Sequence, residues 1–210
     1  MKTIIIGNGN INDYEIIREY FDDAYIIACD GGLRHCRAMM ITPNVMVGDF
    51  DSANKADADF FEKMGVPKIE YPKRKNMTDM EIGIDLAIEK KADEIYIVGG
   101  LGKRFDHSLA NVHILLRPVS MGIRACLLDE RNIITLVKDR IDIVGEKGQT
   151  VSLIPLTSVV KGINTENMEY SLDDAVMEIG NSLGVSNVMT EDTASVSVSE
   201  GVLIIIMSRD

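Results

Sequence analysis

The hydrophobic pattern changes character once along the chain. Up to about residue 128, short apolar runs alternate with longer amphipathic stretches. The runs are Ile4-Ile5-Ile6, Tyr25 to Ala28, Val45-Met46-Val47, Ile95 to Val98 and Ile123 to Leu128. They lack polar alternation, which predicts strands buried on both faces. Between two of them, Met77, Met80, Ile84, Ala87 and Ile88 recur at helical spacing and form an apolar stripe. Thr78-Asp79-Met80-Glu81 has the form of a capping box at the start of that helix. Gly65 and Gly122 stand where helices must end before the next strand. Repeated strand-helix-strand order predicts a parallel α/β domain over residues 1–128.

After residue 130 helical periodicity fades. Ile133 to Val137, Ile141 to Val144, Thr150 to Ile154, Val159 to Ile163, Val196 to Val198 and Val202 to Met207 read as strands between polar turns. They predict a smaller all-β domain over 129–210, either a sandwich or a flattened barrel. Val202 to Met207 is apolar enough to be an interior strand or an edge that seeks a partner.

Ligands of parallel α/β sheets bind beyond the carboxyl ends of the strands. The chemically unusual residues of this chain follow those ends. The second strand runs into Cys29-Asp30-Gly31-Gly32, and the third into Gly48-Asp49-Phe50-Asp51-Ser52. Lys73, Arg74 and Lys75 precede the capping box, and Ile95 to Val98 leads into Gly99-Gly100-Leu101-Gly102-Lys103-Arg104-Phe105-Asp106-His107. In extended backbone Asp49 and Asp51 share a face, and two close carboxylates are relieved by a hard cation such as Mg²⁺. An isolated pair of this kind more often caps a turn and a helix, but acidic loops at several strand ends shift the balance to metal. The glycine-rich stretch lets backbone amides approach phosphate oxygens, and Lys103 and Arg104 bring positive charge. It is not a Walker A loop, because no Ser or Thr follows Lys103. Gly7-Asn8-Gly9-Asn10 lacks the third glycine of a dinucleotide fingerprint and is a weak signal. His35 and His113 read as structural.

The formal net charge of −11 disfavours nucleic acid and means that a polyphosphate ligand needs local cations. Three cysteines without a CxxC pair fit a reducing compartment, and no apolar run reaches bilayer length. A cytoplasmic protein without a membrane partner is expected.

Taken in order, CDGG, GDFDS, TDME and GGLGKRFDH resemble the thiamine pyrophosphokinase family. The likeness continues through Val151 to Leu156, Tyr170-Ser171-Leu172 and Ser182 to Asn187, so it spans nearly the whole chain. The resemblance implies a Rossmann-like α/β domain followed by a β-sandwich, working as a homodimer. It implies ATP as diphosphate donor, thiamine as acceptor and Mg²⁺ held by Asp49, Asp51 and Asp79. Arg104 and Asp106 would line the reaction centre, while Asp30, Thr78, Lys103 and His107 would lie on the ATP side. Ser186 and Asn187 would lie on the thiamine side. The chain departs from the family pattern at Asn76, where an acidic residue is common, and at Ser171 and Val188. Two rival readings are a diphosphokinase acting on a hydroxymethylpterin and a nucleotide sensor without catalysis.

Overall fold

A computed structural model describes residues 1–50, 55–71, 76–102 and 104–209. The chain forms two compact units, one of residues 1–114 and 121–130, the other of residues 115–120 and 131–210.

The first unit contains β1 (Lys2–Ile6), α1 (Glu15–Arg18), β2 (Tyr25–Cys29), α2 (Leu33–Met39), β3 (Val45–Gly48) and α3 (Lys55–Lys63). It continues with β4 (Lys68–Glu70), α4 (Asp79–Glu89), β5 (Glu94–Val98), α5 (Phe105–Ile114) and β6 (Arg124–Leu128). Every pairing among these strands is parallel, in the order β6-β5-β1-β2-β3-β4. Ile4 therefore sits between Ile26 on one side and Tyr96 on the other. Ile4, Ile5 and Ile6 are each wholly buried, as an uninterrupted apolar run requires. Removing each such side chain from water favours folding by roughly 1.5–3 kcal/mol.

The expected helix start is present. Thr78 is the N-cap of α4, and its Oγ accepts a hydrogen bond from the Glu81 amide at 3.2 Å. Met80, Ile84 and Ala87 of the expected stripe are buried, joined by Ile82. That face lies on β1, β2 and β3. Gly65 and Gly122 both take positive φ, which ends the helices before them. The sequence reading omitted β4, which has no apolar run to announce it.

The second unit opens with α6 (Leu116–Ser120), a helical turn within the span 1–128 that the sequence reads as α/β. It continues with β7 (Asn132–Val137), β8 (Arg140–Val144), β9 (Thr150–Pro155) and β10 (Val159–Glu166). The last strands are β11 (Ala175–Glu178), β12 (Asn187–Val188), β13 (Thr193–Ser197) and β14 (Leu203–Ser208). Within this unit β12-β9-β14-β7 and β11-β10-β13-β8 run antiparallel. Leu153 and Leu203 from the first set and Val160 and Val196 from the second are buried in one common core. β14 is paired along both edges, with β7 and β9, so Val202 to Met207 is an interior run and not a free edge.

Candidate active site

The strand order fixes where the loops of the first unit gather. The chain steps from β1 through β2 and β3 to β4, then returns to place β5 on the other side of β1. That reversal opens a crevice beyond the carboxyl ends of β1 and β5, the usual ligand position in such sheets.

Backbone contacts hold these loops together. The Gly7 amide donates to the Val98 carbonyl at 2.8 Å, and the Gly9 amide to the Gly99 carbonyl at 2.7 Å. After β2, Asp30 takes φ +44, and its Cβ lies 3.1 Å from where a Cβ on Gly48 would stand. The loop with Asp30 thus touches the residue before Asp49. The Cys29 thiol donates to the Asp79 carbonyl at 3.4 Å, which brings the start of α4 to the same place. Asp30, Asp49 and Asp79 thereby lie on neighbouring segments near the end of β2, all partly buried. Phe50 packs into the core as expected, under the Lys68 ammonium 4.8 Å from its ring centre. Its φ of +46 is left-handed, so the backbone here is not the extended one on which the expected shared face of Asp49 and Asp51 depends. Asp51 and Lys103 lie outside the described residues. Among the described residues, no three acidic, histidine or cysteine side chains form a metal cluster.

The glycine-rich stretch after β5 is organised from α5. Asn111 donates to the Gly100 carbonyl at 2.6 Å, and the Gly102 amide donates to the Ser108 hydroxyl at 3.1 Å. Arg104 Nε donates to Asp106 at 3.1 Å, and its Nη2 bonds the other carboxylate oxygen. This two-point hydrogen bond holds the Asp106 carboxyl below its ordinary range and the Arg104 guanidinium above its own. A carboxylate held low binds a proton weakly. The arrangement therefore suits Asp106 to orienting Arg104 better than to accepting a proton. His107 is exposed on the first turn of α5, and Thr78 is engaged as a cap.

In the second unit Asn187 is buried and its amide is fully engaged. Its Oδ1 accepts from the Tyr170 amide at 3.0 Å, and its Nδ2 donates to the Tyr170 carbonyl at 2.8 Å. Asn187 therefore fixes the backbone of Tyr170, whose side chain is exposed. Ser186 takes φ +58, with its amide donating to the Ser152 hydroxyl at 3.0 Å, and stands exposed. The Gly7–Asn10 loop, discounted in sequence, is at the crevice itself. Its partners Arg34 and His35 carry no motif, and only the fold brings them to it.

The fold is that of a mixed protein with a parallel α/β unit and an antiparallel β unit. Comparison with known proteins narrows this class. Residues 17–127 match the family described as thiamin pyrophosphokinase, catalytic domain, and residues 135–203 the one described as thiamin pyrophosphokinase, vitamin B1 binding domain. The thiamine pyrophosphokinase of Bacillus subtilis is 30% identical over the full length of both chains. A crystal structure from Bacillus subtilis under that name superposes with a TM-score of 0.91 at 28% identity, covering all of both chains. The thiamin pyrophosphokinase structure from Geobacillus thermodenitrificans gives 0.88 at 27%, covering all of this chain and 98% of that one. The chain belongs to the thiamine pyrophosphokinase family. Membership makes it a transferase of the diphosphokinase kind.

Proposed function

We propose that the protein transfers a diphosphate group from ATP to the hydroxyl of thiamine, yielding thiamine diphosphate and AMP. The observation that carries this reading is the pair of family matches, catalytic and vitamin-binding, lying in the order of the two units. The nearness of Asp30, Asp49 and Asp79 to one strand end supports it.

The donor set suits magnesium, since its side chains offer only carboxylate oxygens and the ion needs few protein ligands. Asp49, Asp51 and Asp79 would hold it, and when bound it supplies positive charge to the phosphate oxygens. The chain's own residues do the remaining work. Loops stapled backbone to backbone keep their shape when the triphosphate binds, so little reorganisation opposes the reaction. Asp106 aims Arg104, and Arg104 offsets charge on the transferred group. By the family resemblance, Lys103, Asp30 and His107 would lie on the ATP side. In-line attack then depends on holding the thiamine oxygen near the β-phosphorus. Ser152, Ser186 and the Asn187-fixed backbone of Tyr170 furnish polar contacts for thiamine. The reading includes a homodimer working in the cytoplasm, supported by the family resemblance. Among the described residues, no helix is long and apolar enough to cross a membrane.

Chromatography of nucleotide products, with thiamine and a hydroxymethylpterin assayed in parallel, tests the proposal. AMP and thiamine diphosphate are expected in equal amounts. ADP as the main product would refute diphosphate transfer, AMP formed only with the pterin would replace the acceptor, and no product at all would indicate a sensor.

A further inference from the structure

The segment joining β1 to α1 is fastened at both ends. Besides the Gly7 and Gly9 amides bonded to the β5 loop, its carbonyls are gripped from α2. Arg34 Nη2 donates to the Asn8 carbonyl at 2.7 Å and to the Gly9 carbonyl at 2.9 Å. His35 Nε2 lies 2.8 Å from the same Gly9 oxygen, and its Nδ1 lies 2.8 Å from the Tyr14 hydroxyl. At the far end Glu130 accepts hydrogen bonds from the Asn12 and Asp13 amides, and Asp13 accepts one from the Glu15 amide at 2.9 Å. A short glycine and asparagine loop does not need this many ties to be a turn.

The partners define the state of the His35 ring. The Gly9 carbonyl can only accept, so Nε2 carries the hydrogen and Nδ1 accepts from the Tyr14 hydroxyl. With the hydrogen on Nε2, Arg34 Nε at 3.3 Å cannot donate to it, and the shorter Gly9 contact decides the tautomer. The ring is 3% exposed. The titratable groups about it are Arg34 on its own helix and Tyr14 on the β1–α1 segment. Protonation would put a hydrogen on Nδ1, facing a hydroxyl that now donates, and a second positive charge beside Arg34. Burial lowers the pKa of His35 below its ordinary value; the Gly9 hydrogen bond opposes this, and Arg34 adds to the lowering.

We propose that His35 is a positioning residue for the nucleotide: its neutral ring holds the Gly7–Asn10 loop in the shape that receives ATP at the β1–β5 crevice. The idea rests on the proposed ATP reaction and adds the device that sets nucleotide affinity. The sign follows from a folded-state value below the unfolded one of roughly 6.5. Protonation at Nδ1 leaves the Nε2 hydrogen bond to Gly9 in place, but burial and Arg34 then favour an opened, solvated ring. The packed arrangement is therefore fully stable above the unfolded value and loses stability as pH falls through the lower, folded one. KM for ATP therefore rises in acid, while KM for thiamine does not follow it.

The test uses His35→Ala, His35→Gln and Tyr14→Phe in the full chain. Loss of a buried hydrogen bond predicts about a tenfold higher KM for ATP in His35→Ala, with kcat changed far less. The glutamine amide can donate to Gly9 at every pH, so His35→Gln should regain most of the ATP affinity and lose the acid rise. Tyr14→Phe removes the donor that favours the neutral ring, and should move the acid rise to higher pH. Equal effects on both KM values, a fall in kcat alone, or an acid rise persisting in His35→Gln would overturn the proposal. Amide exchange of residues 7–14, compared between variants at one pH, reads the loop without any turnover. Faster exchange in His35→Ala than in His35→Gln is expected, and equal rates would contradict it. If the wild type makes no AMP, the function fails and this exchange comparison still decides whether His35 holds the loop.

Discussion

Asp49→Asn is expected to lower kcat by on the order of 100-fold or more while leaving the fold intact. Asp49 follows β3 directly, beside the Asp30 loop and near the start of α4. Removing one negative charge relieves repulsion in the metal-free protein, so its melting temperature should hold or rise. The wild type should gain stability from magnesium and ATP by mass action, and the variant should gain much less. Thermal melts with and without magnesium, run alongside turnover, check both halves. Near-normal turnover of the variant at limiting magnesium would refute the metal role.

Gly32→Ala should cost about 3 kcal/mol or more of stability, an unusually large effect for a single methyl group. The added Cβ would stand 2.1 Å from the Ile6 carbonyl oxygen and 2.8 Å from its carbon. Both atoms belong to the backbone of β1, and β1 is paired with β2 and β5, so neither can yield by changing a rotamer. Gly32 has φ −62, so the cost arises from space and not from backbone conformation. The same close approach lets Arg34 and His35 reach the Gly7–Asn10 loop. Affinity for ATP should therefore fall along with stability. Urea unfolding of the two proteins gives the stability difference, and an unchanged midpoint would show that β1 and α2 are less tightly joined than the distances indicate.

How legible each feature was in the sequence follows from where its signal resides. Strands buried on both faces, such as Ile4 to Ile6, declare themselves because no polar residue interrupts them. Lys68–Glu70 does not, since β4 has exposed residues at both ends and, among the described residues, pairs only with β3. Likewise β12 is two residues long, and its place is set by pairing with β9. The capping box needed only local chemistry and was readable down to Thr78. The carboxylates after β2 and β3 were readable because position at a strand end is a sequence property. Their nearness to Asp79 depends on the Cys29 thiol and the closeness of Gly48 to Asp30, which no spacing encodes. Asn187 was legible as part of a family segment, but its grip on Tyr170 is a pairing across 17 residues. The Gly7–Asn10 loop was passed over because its chemistry is carried by backbone atoms, whose partners appear only in the fold.

The central claim is that the internal phosphorus of ATP, and not the terminal one, is transferred to thiamine. ATP labelled at the β-phosphate and ATP labelled at the α-phosphate, each given with magnesium and thiamine, separate these outcomes directly. The account predicts that the β label appears wholly in thiamine diphosphate and the α label wholly in AMP. A β label recovered in ADP, with thiamine monophosphate as the other product, would contradict it.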